Sequence, residues 1–323
     1  MTDFILHAYA ISDKDCHALK KDRIVDGLKN DMLAWVHLDA THPDTKDWLE
    51  SEIAFLDPFI VSALTADETR PRMTEIGEGI MMILRGINFN EDQDDEDMVG
   101  LRLYADKSRI ISLERRPVIA IRELGDAVSK SEGPFDSGEF VSSLVYQLTR
   151  KVDRAVAEID DTMDETEREF VASGGDRDLR RELSDIRMKS IKLRRHLAPQ
   201  RDALFELKSA KTDMLDDKDR RAVHESYNRT IRSVEELDAV RERSQIIKDE
   251  ISAQMSEKLN RNTYVLSLIA AIFLPLGFLT GLFGINIDGL PGIGVPNAFW
   301  LFCAFMTIVV IIQVIVFKKL KWF

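Results

Sequence analysis

The chain has 323 residues, a formal net charge of -12, and two cysteines, Cys16 and Cys303, with no Cys-x-x-Cys. That usage excludes a disulfide scaffold and a cysteine-based zinc site. The acidic balance disfavours nucleic acid as a partner.

Residues 1 to about 137 read as a mixed α/β domain. Phe4–Ile11 and Met32–Asp39 alternate like strands; Ile80–Phe89, Met98–Tyr104 and Ile110–Leu113 read as a strand and a hairpin. Short helical patterns fall at Thr45–Ile53 and Pro117–Ser129. The N-terminus has no basic region followed by an apolar run, so it is not read as a signal peptide.

From Gly138 the character changes. Residues 139–171 are helical in pattern and Gly174-Gly175 breaks them. From Asp213 to Leu274 there is neither Gly nor Pro. Val223, Tyr227, Ile231, Val234, Leu237 and Val240, then Ile247, Ile251, Met255 and Leu259, recur at helical spacing between charged residues. The pattern predicts one continuous helix from about residue 217 to Phe283, on the order of 100 Å long at 1.5 Å per residue. A helix that long needs neighbours to cover its apolar stripe.

Thr263–Phe283 and Ala298–Phe317 are apolar, uncharged and of bilayer-spanning length. Lys258 and Arg261 precede the first, and Lys318, Lys319 and Lys321 follow the second. The connection between them holds no Lys or Arg and one acid, Asp288. The positive-inside rule then puts both termini in the cytoplasm and the connection outside. Residues 263–323 carry three Lys and one Asp, a balance of +2, which leaves -14 on residues 1–262. The expected divisions are a cytoplasmic α/β domain, 1–137; a helical region with a stalk helix, 138–262; a first span, 263–283; an outer loop, 284–297; a second span, 298–317; and a basic tail, 318–323.

Enzyme motifs are missing. There is no GxxxxGK[ST] and no HExxH; in His224-Glu225 the second His position is Asn228. The six histidines show no ligand spacing on one helix face. The acidic run Asp92, Asp94, Asp95, Glu96 and Asp97 reads as a solvated loop or as a weak cytoplasmic divalent-cation site; it lacks the spacing and glycine of an EF-hand.

The first span is more specific. Thr263, Ser267, Ala270, Leu274, Gly277, Gly281 and Gly284 follow one another at four- and three-residue steps, and six of the seven are small or hydroxylated. Such a stripe serves close helix packing or lines an aqueous path. Two spans cannot enclose a path, so a path requires several copies of the first span.

Gly284-Ile285-Asn286 follows the first of two C-terminal spans, after a long charged helix and ahead of a basic tail, Lys318-Lys319-Leu320-Lys321. In that context the whole chain resembles the CorA-type two-span divalent-cation transporters, which carry Gly-x-Asn at this place. It is most similar to their zinc-transporter branch through Glu68-Thr69-Arg70-Pro71-Arg72, Ala198-Pro199-Gln200-Arg201-Asp202, Phe273-Leu274-Pro275, the segment Thr280 to Asn286, and Gly289-Leu290-Pro291-Gly292. Ile285, and the lack of a Met-Pro-Glu segment after it, depart from the magnesium branch.

The resemblance implies a funnel-shaped homopentamer in a bacterial inner membrane. The α/β domains would form its wide end, the long helices its stalk, and the first spans its pore. Thr263, Leu266, Ala270, Leu274, Gly277 and Asn286 would face the axis; the stripe has Ser267 where the family register has Leu266, and both stay open. Gly284, Ile285, Asn286 and Asp288 would form the outer mouth, with Asn286 holding the hydrated cation through water. Leu274 and Leu266 would form apolar rings that gate by dewetting. The basic residues Lys258, Arg261, Lys318, Lys319 and Lys321 at the inner end have two readings: they fix topology, or they form an inner collar that repels cations until the funnel changes shape. The implied substrate is Zn2+, with no resident cofactor. Zinc prefers nitrogen and sulfur ligands, and the path offers neither, so zinc rests on the resemblance alone. The alternatives are a Mg2+ or Co2+ channel of the same superfamily and, from another class, a membrane-tethered coiled-coil sensor or scaffold.

Overall fold

The computed structural model describes residues 3–12, 15–30, 32–53, 56–67, 70–90, 94, 96–174, 177–285 and 295–319. The chain divides into two compact units, residues 1–248 and 249–323.

The first unit is built on a seven-stranded sheet. Its strands are β1 (Ile5–Ser12), β2 (Asp15–Ala18), β3 (Leu33–Asp39), β4 (Arg72–Ile76), β5 (Gly79–Gly86), β6 (Val99–Ala105) and β7 (Arg109–Glu114), in the order β2-β1-β3-β7-β6-β5-β4. Every pairing is antiparallel except β3 with β7. The expected strands therefore occur within one or two residues at each end, apart from Ile80–Phe89, whose strand stops at Gly86. β2, β4 and two helices, α1 (Ile24–Lys29) and α3 (Pro58–Thr65), are additions that periodicity did not show.

Helices cover both faces. α1, α2 (Asp44–Glu52) and α3 pack on the face carrying Ala34, Val36 and Leu38. α4 (Ile119–Ser129), α5 (Ser137–Ser173) and α6 (Arg177–Ser209) pack on the face carrying Trp35, whose ring lies 4.9 Å from Phe140 on α5. β3 is covered on both sides, which is why its apolar residues run on rather than alternate with polar ones. Near Trp35 the buried His37 Nδ1 lies 2.9 Å from Ser112 Oγ, and Trp35 Nε1 donates to the same oxygen at 2.9 Å.

α6 continues through Pro199. The next residue, Gln200, is buried and accepts from the Arg85 amide at 2.6 Å. β4 ends its pairing at Arg72 opposite Ile83, so the Gln200 side chain supplies the acceptor that a longer β4 would have supplied.

α7 spans Asp217–Phe283, 67 residues, the long helix expected from the absence of Gly and Pro. Its start is fixed by a reciprocal cap: the Asp219 amide donates to Asp216 Oδ1 at 2.7 Å and the Asp216 amide to Asp219 Oδ2 at 3.3 Å. Ser142 on α5 donates to Asp219 Oδ1 at 2.8 Å. Burial holds the Asp219 carboxyl above its ordinary pKa, partly offset by the Ser142 bond. Gly138 admits this arrangement, because a Cβ there would lie 2.3 Å from Met214 O and 2.4 Å from Asp219 Oδ2. Further along, Arg243 bonds to Asp160, Asp164 and Glu167 of α5. Bonds to Glu167 and then Asp164 raise the guanidinium pKa further.

The second unit holds the end of α7 and α8 (Ala298–Lys319). Both helices contain a window long and apolar enough to cross a membrane, with mean hydropathy 2.3 and 2.7.

Candidate functional site

The end of α7 meets the start of α8, with the Phe283 and Phe302 rings 5.1 Å apart. Counted in equal and opposite steps from that contact, as for two antiparallel helices, Leu279 corresponds to Met306, Leu276 to Val309, Ile272 to Gln313 and Leu268 to Phe317. All eight are half-buried. The two helices therefore share one seam along their apolar length.

At about 100° per residue, Thr263, Ser267, Ala270, Leu274, Gly277 and Gly281 lie on the side of α7 away from that seam. All six are exposed, as is Leu266. Leu274 is 77% exposed and Leu266 68%, more than Val265 at 47% and Ile269 at 49%, and Leu274 is the one bulky residue among the six. A Cβ added at Gly277 or Gly281 would meet nothing within 4 Å. Thr280, beside the stripe, donates its hydroxyl back to the Leu276 carbonyl at 2.9 Å, so it satisfies itself inside the helix.

Gly284 terminates α7: its amide donates to Thr280 O at 3.0 Å and Gly281 O at 3.2 Å. The remaining carbonyls of the last turn point out of this end and carry the negative pole of the helix. Gly284 and Ile285 are described; Asn286 and Asp288 lie outside the described residues. At the other end, Lys258, Arg261, Lys318 and Lys319 are all exposed and fall on the same side of the apolar length. Lys321 lies outside the described residues.

The first unit gathers other charges. Of the acidic run, Asp92 and Asp95 lie outside the described residues. Lys192 approaches Glu96 and Asp97, each at 3.6 Å, and the Asp97 amide donates to Asp94 O at 3.0 Å. Among the described residues no three His, Cys, Asp or Glu side chains converge for a metal ion. Burial, then Arg85 and Arg195, pushes the nearby His196 down to about 4, with Asp97 opposing. A cleft of about 660 Å³ beside α5 is lined by Tyr146, Arg150, Arg154 and Lys218. Its rim is partly self-paired, Lys151 to Glu123 at 2.7 Å and Lys218 to Glu139 at 3.3 Å.

Two residues that the sequence reading gave no role stand within the apolar lengths, Pro275 inside α7 and Gln313 inside α8. Their signal was present: a proline within a helical run and an amide within an apolar one.

A model of the family described as "CorA-like Mg2+ transporter protein" matches residues 30–319. The divalent cation transporter CmaX of Pseudomonas aeruginosa is 37% identical over 300 residues, 93% of this chain and 90% of that protein. The zinc transport protein ZntB of Pectobacterium atrosepticum is 34% identical over 317 residues, 98% and 95% of the two chains. The structure of full-length CmaX superposes with a TM-score of 0.85 at 34% identity, covering 100% of this chain and 99% of that one. The complete CorA magnesium transporter of Methanocaldococcus jannaschii has the same fold, with a TM-score of 0.79 at 21% identity over 100% of both chains.

Proposed function

The chain belongs to the CorA-like Mg2+ transporter family, and from that premise we propose that it carries divalent cations, zinc foremost, across a bacterial inner membrane. The observation that carries this reading is the exposed small-residue face of α7 turned away from α8. With α8 on one side, that face is left for further copies of α7, and five copies would ring an axis with Thr263, Ala270, Leu274 and Gly277. The zinc preference draws on the relatives named for zinc transport.

In this reading five α7 ends collect the cation at the outer mouth through their carbonyl poles and the Asn286 amides, with Asp288 adding charge. The span holds no carboxylate, His or Cys, so the ion passes with its hydration shell. Leu274, with Leu266 as the second apolar position, forms the constriction that water must wet. The Lys and Arg residues at the inner end fix topology with both termini inside and ring the exit.

The test is metal entry into proteoliposomes of the full chain, with and without a pH gradient, for Zn2+, Co2+, Ni2+, Cd2+ and Mg2+ in turn. Entry above protein-free vesicles is expected for Zn2+ and reduced entry for Asn286→Ala. No entry of any divalent ion would overturn the reading; entry of Mg2+ alone would overturn the zinc preference.

A further inference from the structure

Pro275 stands inside the membrane-length part of α7. A proline has no amide hydrogen, so the carbonyl four residues earlier, that of Ala271, has no donor within the helix. In a bilayer a bare carbonyl is costly and must find a donor elsewhere. Ala271 is half-buried and stands next to Ile272 on the α7–α8 seam. Counted in equal steps from the Phe283–Phe302 contact, the α8 residue that corresponds to Ile272 is Gln313, itself half-buried. Its Oε1 is enclosed and has no hydrogen-bond partner among the described residues. A half-turn of the amide puts Nε2, a donor, in the same enclosed place, and the two orientations differ only by their bonds.

We propose that Gln313 is a positioning residue whose side-chain amide donates to the Ala271 carbonyl left free by Pro275, tying α8 to the proline break one residue from Leu274. The bond explains both oddities together: a proline in one apolar helix and an amide in the other, at one depth, on facing sides. It also gives the break a fixed direction. With the Ala271 carbonyl held toward α8, the Leu274 side of α7 keeps its aim away from the seam.

The test has two arms, both on the full chain in liposomes. In the first, Ile272→Cys and Gln313→Cys are combined in a Cys16→Ser, Cys303→Ala background and oxidised. A disulfide within one chain is expected, and its absence would overturn the facing register. In the second, Gln313→Leu is placed in the wild-type and Pro275→Ala backgrounds, and the thermal midpoint and Zn2+ entry rate are measured. In the wild type, Gln313→Leu should change the entry rate about threefold, the size of an average interhelical hydrogen bond in a membrane protein, and lower the midpoint. In the Pro275→Ala background, where the substituted residue supplies a backbone amide to the Ala271 carbonyl, Gln313→Leu should have little effect. Equal effects in both backgrounds would overturn the proposal. If Gln313→Leu does not insert alone but does insert with Pro275→Ala, that rescue supports it; failure in both backgrounds counts against it. The midpoint and the disulfide do not depend on transport, so their outcome is separable from that of the proposed function.

Discussion

Nη1 of Arg243 on α7 lies 3.0 Å from Oδ1 of Asp160 on α5, and the same guanidinium reaches Asp164 and Glu167, two successive turns of one α5 face. One cation thus serves three carboxylates at positions i, i+4 and i+7. Replacing it by Leu leaves these carboxylates close together without their common counter-charge. The expected cost is about 1–2 kcal/mol, since the pairs are partly exposed and screened. Chemical denaturation of the first unit at low and high salt checks this: the gap between wild type and Arg243→Leu should narrow as salt rises.

Gly138→Ala is expected to be the more damaging change, although it adds one methyl group. The contacts at 2.3 and 2.4 Å involve a backbone carbonyl and the buried Asp219 carboxylate, neither of which is the free end of a flexible side chain. Overpacking of this kind costs about 1–3 kcal/mol, and the loss of the Asp219–Ser142 bond adds to it. The denaturation midpoint of Gly138→Ala should fall clearly below that of Gly125→Ala, where the atoms nearest the added Cβ belong to the His7 ring, at 3.3 Å.

His196 predicts a pH dependence. Its folded pKa is pushed down to about 4, below the usual 6.5, chiefly by burial and then by Arg85 and Arg195. Between these values the unfolded chain binds the proton and the folded chain does not, so stability rises with pH through that window. The contribution is fully present above about pH 6.5 and is lost as pH falls toward 4. It amounts to on the order of 2 kcal/mol after allowance for the partly exposed ring. Unfolding free energies at pH 7 and pH 5 should differ more for wild type than for His196→Gln; equal differences would remove His196 from the account.

Leu274→Ser should raise background divalent flux. The side chain is the bulky member of the exposed face, and a hydroxyl in its place lowers the barrier to wetting. Vesicles with equal amounts of inserted wild-type and variant protein give the comparison; equal background flux would take Leu274 out of the constriction.

The long elements were legible in the sequence and the short ones were not. α7 showed itself through 62 residues from Asp213 to Leu274 without Gly or Pro; Met32–Asp39 was read as an alternating strand, and β3 is there, but buried on both faces. α3 is eight residues and apolar nearly throughout, so it has no period to read. Its signal was local: Asp57 accepts from the Phe59 amide at 2.8 Å and Pro58 begins the helix. β2 and β4 are four and five residues and become strands only because β1 and β5 pair with them. Thr263 to Gly281 could be picked out as one face because small residues at helical spacing are a one-dimensional pattern. That the face points away from α8 depends on the Phe283–Phe302 contact, which no spacing encodes. The acidic run illustrates the opposite limit: Lys192, about a hundred residues distant in sequence, lies 3.6 Å from Glu96 and from Asp97, a neighbour that no local spacing encodes.

The short flanking strands of the sheet have a consequence for crowding. An assembly of several copies brings several sheets into one neighbourhood, where open strand edges invite pairing between chains. β2 offers four residues and carries exposed Asp15 and His17; β4 offers five, with exposed Arg72 and Glu75. Where β4 falls short, Gln200 occupies the position a foreign strand would need at Arg85. The domain is thereby equipped to sit beside copies of itself at high local concentration without its sheets fusing into one.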